Sequence, residues 1–288
     1  MGCCRGRIKR TIVYTHVTAT TLAAQIGTLS VGRPVTITFD SARASYEATF
    51  GRFTLEPALE TDIFRFSNGP VGGGSEAGNN YNSFSASLTG GYALAPGRNL
   101  VLVARGINAD YPTRTPGVAT PDYDDVSLVG GIDYRSGELF RYRATLGYEQ
   151  RSYVNTTLSG SSAPLAELDV IWTPTRLTTV TGQVSRSLQN AISTVASNNY
   201  TYTTTRLVVD HEYFRNVLLQ GYGAFQNADY QTHGETQRVV SAGASVTWLL
   251  NREMSVIGRV NWSLSTDNVD TALNQTIGLA ELTLAVHL

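Results

Sequence analysis

The chain has 288 residues, of which 42% are apolar, with a formal net charge of −1 and a pI of about 6.4. No stretch of apolar residues is long enough for a transmembrane helix, and the balanced charge argues against a nucleic-acid partner. Glycine (27) and tyrosine (15) are abundant, threonine and serine are frequent and lysine is nearly absent, a composition that suits strands and turns.

The first ten residues (MGCCRGRIKR) are basic, as the start of an export signal would be. Residues 11–21 are too rich in threonine to serve as the apolar stretch that should follow. The expectation is that the reading frame lacks its true start or carries an unusual signal. Gly6 departs from the serine or threonine of a myristoylation start. Cys3 and Cys4 are adjacent, so they cannot staple a fold, and no CxxC or histidine spacing supports a metal site. Residues 1–32 are read as an N-terminal segment of uncertain structure, and residues 33–288 as one β-domain.

Along the chain, residues 44–50 and 55–66 read as strands, and residues 11–18 or 34–39 are candidates for one more. From Tyr81 onward, tight-turn signals recur about every 40 residues: Pro96-Gly97-Arg98, Ser136-Gly137-Glu138, Thr173-Pro174-Thr175, Phe214-Arg215-Asn216 and Asn251-Arg252-Glu253. Between them lie longer polar connections at residues 67–80, 110–124, 155–162, 188–199, 232–236 and 266–274. Each repeat is therefore two strands, one short turn and one long loop.

The segments between turns alternate with a period of two, which marks strands rather than helices. Phe140, Tyr142, Ala144, Leu146 and Tyr148 alternate with Arg141, Arg143, Thr145, Gly147, Glu149 and Arg151. Ala166, Leu168, Val170 and Trp172 alternate with Glu167 and Asp169. Val240, Ala242, Ala244, Val246 and Trp248 oppose Ser241, Gly243, Ser245 and Thr247, and Met254, Val256, Gly258, Val260 and Trp262 oppose Ser255, Arg259 and Asn261. These segments are longer than the five or six residues usual in soluble sheets, and long enough to cross a bilayer as tilted strands. The expected fold is all-β: a transmembrane antiparallel up-and-down barrel of about 14 strands (range about 12–16), with short periplasmic turns and longer extracellular loops. Such a barrel has a backbone diameter of roughly 28 Å.

Trp172, Tyr213 and Trp248 fall close to the short turns, while Tyr148 and Trp262 lie about ten residues further along their strands. At about 3.3 Å per residue and with strand tilt, the two groups fit the two interfacial aromatic girdles.

Residues 148–153 (YEQRSY), 172–176 (WTPTR) and 209–216 (VDHEYFRN) carry a family resemblance. Over about residues 81–288 the chain resembles the putative β-barrel porin 2 family of proteobacterial outer-membrane proteins. The resemblance implies a Gram-negative outer-membrane location and a tie to exopolysaccharide production or export. It brings no catalytic residues and no cofactor. The partners it implies are outer-membrane lipid, lipopolysaccharide, the barrel-assembly machinery and polysaccharide.

The candidate lumen-lining residues are Arg141, Arg143, Glu149, Arg151, Glu167, Asp169 and Arg259. Opposite charges on neighbouring strands form either a selective constriction or an ion-pair lattice that only braces the wall. Asp210, His211 and Glu212 are consecutive, so on a strand the histidine cannot share a face with both carboxylates. His16, His211, His233 and His287 show no metal-ligand spacing, and Gly72-Gly73-Gly74 has no helix behind it to hold a phosphate. The leading expectation is a non-enzymatic channel or conduit for polysaccharide export or small solutes. The alternatives are an outer-membrane enzyme acting on lipid or peptide, and a structural or adhesive barrel.

Overall fold

A computed structural model of the chain describes residues 7–21, 35–67, 76–114, 119–137, 139–155, 157–190, 199–230, 234–269 and 274–286. Met1 to Gly6, with both cysteines, lie outside these residues, as do Gly72-Gly73-Gly74, His233 and His287. The described residues form β1 (Arg7–Thr21), β2 (Val35–Phe50), β3 (Phe53–Ser67), β4 (Tyr81–Ala95), β5 (Arg98–Asp110), β6 (Tyr123–Ser136) and β7 (Phe140–Tyr153). They continue as β8 (Ser161–Thr175), β9 (Thr178–Asn190), β10 (Asn199–Phe214), β11 (Val217–Tyr230), β12 (Thr236–Leu249), β13 (Met254–Asp267) and β14 (Gln275–Val286). All belong to one sheet in which every strand pairs antiparallel with its chain neighbours, in the order β1 to β14. This is the up-and-down topology of an outer-membrane barrel, with strands of 12 to 16 residues. Among the described residues the ladder is not drawn across from β14 to β1.

The N-terminal third differs from the sequence reading in an instructive way. Residues 35–39 and 44–50 are not separate strands. They merge into β2, and residues 11–18 lie inside β1, within the segment set aside as uncertain. Both strands are threonine-rich rather than strongly apolar, so hydrophobic alternation under-reports them, whereas the ladder from Arg7↔Thr49 to Thr21↔Val35 is unbroken.

The short turns have recognisable causes. Gly51, Gly97 and Gly137 adopt φ of 62°, 73° and 59°, the left-handed region that tight hairpin turns demand and glycine tolerates. The β12–β13 turn instead uses Asn251, whose Oδ1 accepts from the backbone N–H groups of Glu253 and Met254 at 2.8 Å each. The β8–β9 turn falls at Arg176-Leu177, not at Thr173-Pro174-Thr175. Pro174 has no N–H for the ladder, and here it sits in an irregularity of register between Trp172 and Thr175 rather than in the turn itself.

Alternation sorts the two faces. Leu146, Tyr148, Val126, Leu128, Leu102, Leu207 and Val260 are exposed on one face, the outer one. The other, inner face carries serines, threonines and charged residues together with a group of aromatic rings and a few aliphatic side chains. Glycine is used where inner-face atoms crowd: a Cβ on Gly147 would stand 2.3 Å from the Leu128 carbonyl oxygen and 2.7 Å from Val129 Cα. The outer face sets a depth-dependent charge penalty. Leu146→Arg, in the middle of β7, should destabilise the fold by about 2–4 kcal/mol, measured as the denaturant midpoint in lipid vesicles. Gly147→Ala should lower the same midpoint because the neighbouring backbone of β6 must move.

Candidate functional site

The inner face lines an open cavity of about 860 Å³. Its walls come from β5 to β12, and its chemistry is mixed: Arg105, Arg143, Arg186 and Arg206, with Glu149, Glu167 and Asp169, between Ser127, Thr145, Gln183, Ser185, Thr204, Gln226 and Ser241. Strand register explains how they meet. Arg143 on β7 lies opposite Asp133 on β6 and Asp169 on β8; Asp169 lies opposite Gln183 on β9, which lies opposite Arg206 on β10. Residues directly opposite one another share a face, so one rung across five strands carries four charges of alternating sign, with the neutral Gln183 between Asp169 and Arg206. Gln183 Nε2 donates to Asp169 Oδ1 at 3.2 Å.

Tyr222 spans the next part of the wall. It lies opposite Gly243, which lies opposite Asn261. The missing side chain at Gly243 lets the Tyr222 hydroxyl pass over β12 and donate to Asn261 Oδ1 at 3.0 Å. The Arg206 guanidinium sits 5.5 Å from the centroid of the same ring.

Of the residues expected to line the lumen, Arg143, Glu149, Glu167 and Asp169 border the cavity. Arg259 shares their face but lies on β13, 3.9 Å from Glu281 on β14. Arg141 is exposed near the short-turn end, opposite Ile171 and Arg135. Arg151 is elsewhere and differently used: it is buried at the long-loop end. Its Nε and Nη2 donate to the two Asp125 carboxylate oxygens at 2.8 and 2.7 Å, and its plane lies 3.8 Å from the Tyr123 ring centroid. The side chains of this pair are 3% and 2% exposed. Sequence reasoning missed Arg105, Arg186, Arg206 and Tyr222, because β5, β9, β10 and β11 alternate weakly. It also missed Asp125, whose only signal was its position opposite Arg151 on the neighbouring strand.

Above the cavity, aromatic rings line the inner face. Phe39 meets Phe64 at 4.6 Å between centroids, Phe64 stacks on Tyr81 at 4.4 Å, and Tyr81 on Tyr111 at 5.3 Å. Tyr123 and Tyr153 meet edge-on at 6.3 Å. Just beyond β5, Arg114 bridges Asp110 at 2.9 Å and pairs with Asp122, which also accepts from the Tyr111 N–H at 2.7 Å. Burial raises the Tyr111 phenol well above its ordinary range.

Trp172, Tyr213, Trp248, Tyr148 and Trp262 are all exposed on the outer face. His211 faces outward as well, its Nδ1 2.9 Å from Thr178 Oγ1, while Asp210 faces inward and accepts from Gln220 Nε2 at 2.7 Å. His16 pairs with Asp40 at 2.6 Å on the outer side of β1 and β2, and the Asp40 carboxylate also accepts from the Tyr14 hydroxyl at 2.8 Å. Among the described residues no cluster of histidine, cysteine and carboxylate side chains is arranged to hold a metal ion.

The sequence profile of the putative β-barrel porin 2 family matches residues 8–285. The chain belongs to that family. It is an outer-membrane β-barrel protein of porin type, and the profile takes in β1, so the N-terminal strand is part of the family's fold. Curated proteins offer no match. Solved structures are similar in fold at low identity. A mutant of the ferric enterobactin receptor PfeA from Pseudomonas aeruginosa is 9% identical with a TM-score of 0.50, over 87% of this chain and 54% of that one. The ferric yersiniabactin uptake receptor FyuA from Yersinia pestis is 13% identical with a TM-score of 0.47, over 83% of this chain and 44% of that one. The chain thus spans about half the length of these receptors.

The buried Arg151–Asp125 pair sets a stability test. Arg151→Ala leaves a buried carboxylate without its partner and should cost about 3–5 kcal/mol. Replacing both residues by apolar side chains of similar volume should cost far less, as read from urea unfolding of the two variants.

Proposed function

We propose that this porin-type protein is a passive outer-membrane channel for polar solutes of carbohydrate type, with its short turns in the periplasm and its long loops outside the cell. The observation that carries this reading is the polar, charge-alternating cavity enclosed by an apolar outer face. Guanidinium, carboxylate, amide and hydroxyl groups together replace the hydration of a sugar without holding it through one strong contact, and a conduit needs binding that also lets go. The resemblance that ties such barrels to exopolysaccharide loci makes polysaccharide export the specific form of the proposal. We propose no catalytic role: the His16–Asp40 pair lies on the outer face with a tyrosine as its further partner, not an activated nucleophile. In this reading the outer-face tryptophans and tyrosines form the two interfacial girdles.

Arg143 is the residue through which to test the channel. In planar bilayers the refolded chain should conduct, and Arg143→Ala should shift the reversal potential toward cation selectivity, because Asp133 and Asp169 lose the cation between them. An unchanged reversal potential would leave the charged rung as wall bracing only. Added oligosaccharide should reduce the current in a dose-dependent way if sugars enter the lumen.

A further inference from the structure

Each of the six short turns carries an arginine. The hairpins that close at this end hold Arg52 (β2–β3), Arg98 (β4–β5), Arg135 (β6–β7), Arg176 (β8–β9), Arg215 (β10–β11) and Arg252 (β12–β13), each in the turn or within two residues of it. All six are exposed. The same turns contain two acidic residues, Glu138 and Glu253. Hairpin geometry does not call for arginine here, since Gly51, Gly97, Gly137 and Asn251 already make the bends. β1 begins at the same end with Arg7, Lys9 and Arg10, of which Lys9 lies opposite Glu47. At the β5–β6 loop of the far end the sign is reversed. There Arg114 pairs with Asp110 and Asp122, and Asp124 lies beyond, bonded to Asn108.

Two of the cations at the short-turn end turn into the lumen. Arg135 on β6 and Arg141 on β7 lie directly opposite each other, two residues nearer the turn than Asp133 and Arg143. Arg143 borders the cavity, and side chains two residues apart on a strand share a face. All three guanidinium groups therefore stand on the inner face of the short-turn mouth. The alternation holds to the turn, since Tyr134 and Tyr142 meet at 5.1 Å on the outer side. Like charges directly opposite on a sheet are about 4.5–5.5 Å apart at Cβ and repel. Among the described residues Arg141 and Arg143 make no ion pair and no side-chain hydrogen bond, and Arg135 reaches only Asp133, at 3.9 Å. Bracing of the wall would set a carboxylate opposite Arg141; its neighbours are instead a second arginine and Ile171.

We infer that this mouth is a docking site for a polyanion, an acidic sugar chain bearing carboxylates. Arginine stays charged at every physiological pH and offers a fork of donors that fits a carboxylate. Arg135 and Arg141 present two such forks to one anion, which relieves their repulsion. Arg143 meets the next anion about 7 Å deeper along the strand. A single exposed ion pair holds little, so the site discriminates by number: a chain of repeated charges engages several arginines at once. The turn arginines are the outer collar and raise the local concentration of anions at the mouth. The inference rests on the channel reading and adds to it a substrate class and an entrance. The chain docks at the short-turn end, the periplasmic one. Anionic lipid headgroups share this chemistry, but they lie on the outer side of the wall, whereas Arg135 and Arg141 face the lumen.

Fluorescence anisotropy on the refolded full chain in neutral-detergent micelles tests the site, with a galacturonate oligomer carrying an uncharged dye as the probe. The oligomer should bind, and a glucose oligomer of the same length should bind far more weakly. Raising the salt from about 0.05 M to about 0.5 M should loosen the galacturonate steeply, because the screening length shrinks to a few ångströms. Arg135→Gln with Arg141→Gln should weaken binding about tenfold or more. Arg135→Lys with Arg141→Lys, which keeps the charge, should lose less, and Arg238→Gln at the far end should lose nothing. Equal binding of the two oligomers, or undiminished affinity in the double glutamine variant, would overturn the docking site. Displacement of the probe by phosphatidylglycerol added to the micelles would assign the arginines to lipid headgroups and overturn it as well. Binding by a chain that carries no current in planar bilayers would sink the channel reading and leave the site standing; current without binding would do the reverse.

Discussion

Backbone hydrogen bonding in a medium without water is the constraint on which everything else in this molecule depends. Each N–H and C=O that enters hydrocarbon must be satisfied by protein, and a strand can do this only through its neighbours. The result is a continuous antiparallel ladder from β1 to β14, made by chain neighbours so that each pairing closes a local hairpin. Once the ladder is in place, side chains have only two destinations. Leu146 and Tyr148 face lipid while Thr145 and Glu149 face the cavity, and a slip of one residue would exchange them.

The inner face turns that geometric rule into chemistry. Registers that sum consistently from strand to strand place Asp133, Arg143, Asp169, Gln183 and Arg206 along one line, although they are widely spaced in the chain. Glycines do matching work at the crowded places. Gly243 has no side chain to obstruct Tyr222, and so the phenol reaches two strands away to Asn261. The Arg151–Asp125 pair is a buried ion pair on that inner face. Two charges this well buried persist because both guanidinium edges are engaged and the Tyr123 ring covers the plane.

Much of this was legible in advance where alternation is strong. In β7, β8, β12 and β13 the apolar and polar positions separate cleanly, and the facing of Arg143, Glu149, Glu167 and Asp169 follows from counting by twos. In β1 and β2 threonine and alanine blur the alternation, and so two fragments read separately are one strand, and β1 lies in a segment left unassigned. Pro174 resembled a turn residue because proline often initiates turns; in the sheet it marks an irregularity two residues before the true one. Arg206 was missed because mixed neighbours on β10 hide which face it takes, and Arg186 because its register, opposite Ala166 and Thr203, belongs to the positions that alternation sends outward.

The sequence by itself determined the class of protein and the long strands, their short turns and their two faces. Period-two alternation, strand length and turn chemistry are local properties, set by residues within one hairpin. Tertiary structure alone decided what the inner face does. The charged rung needs five strands in register, and the buried Arg151 needs Asp125 from β6 and Asn190 from the end of β9, beyond its last pair with β8. Such contacts depend on where whole strands end and bend, and no local pattern of residues encodes the distance between them.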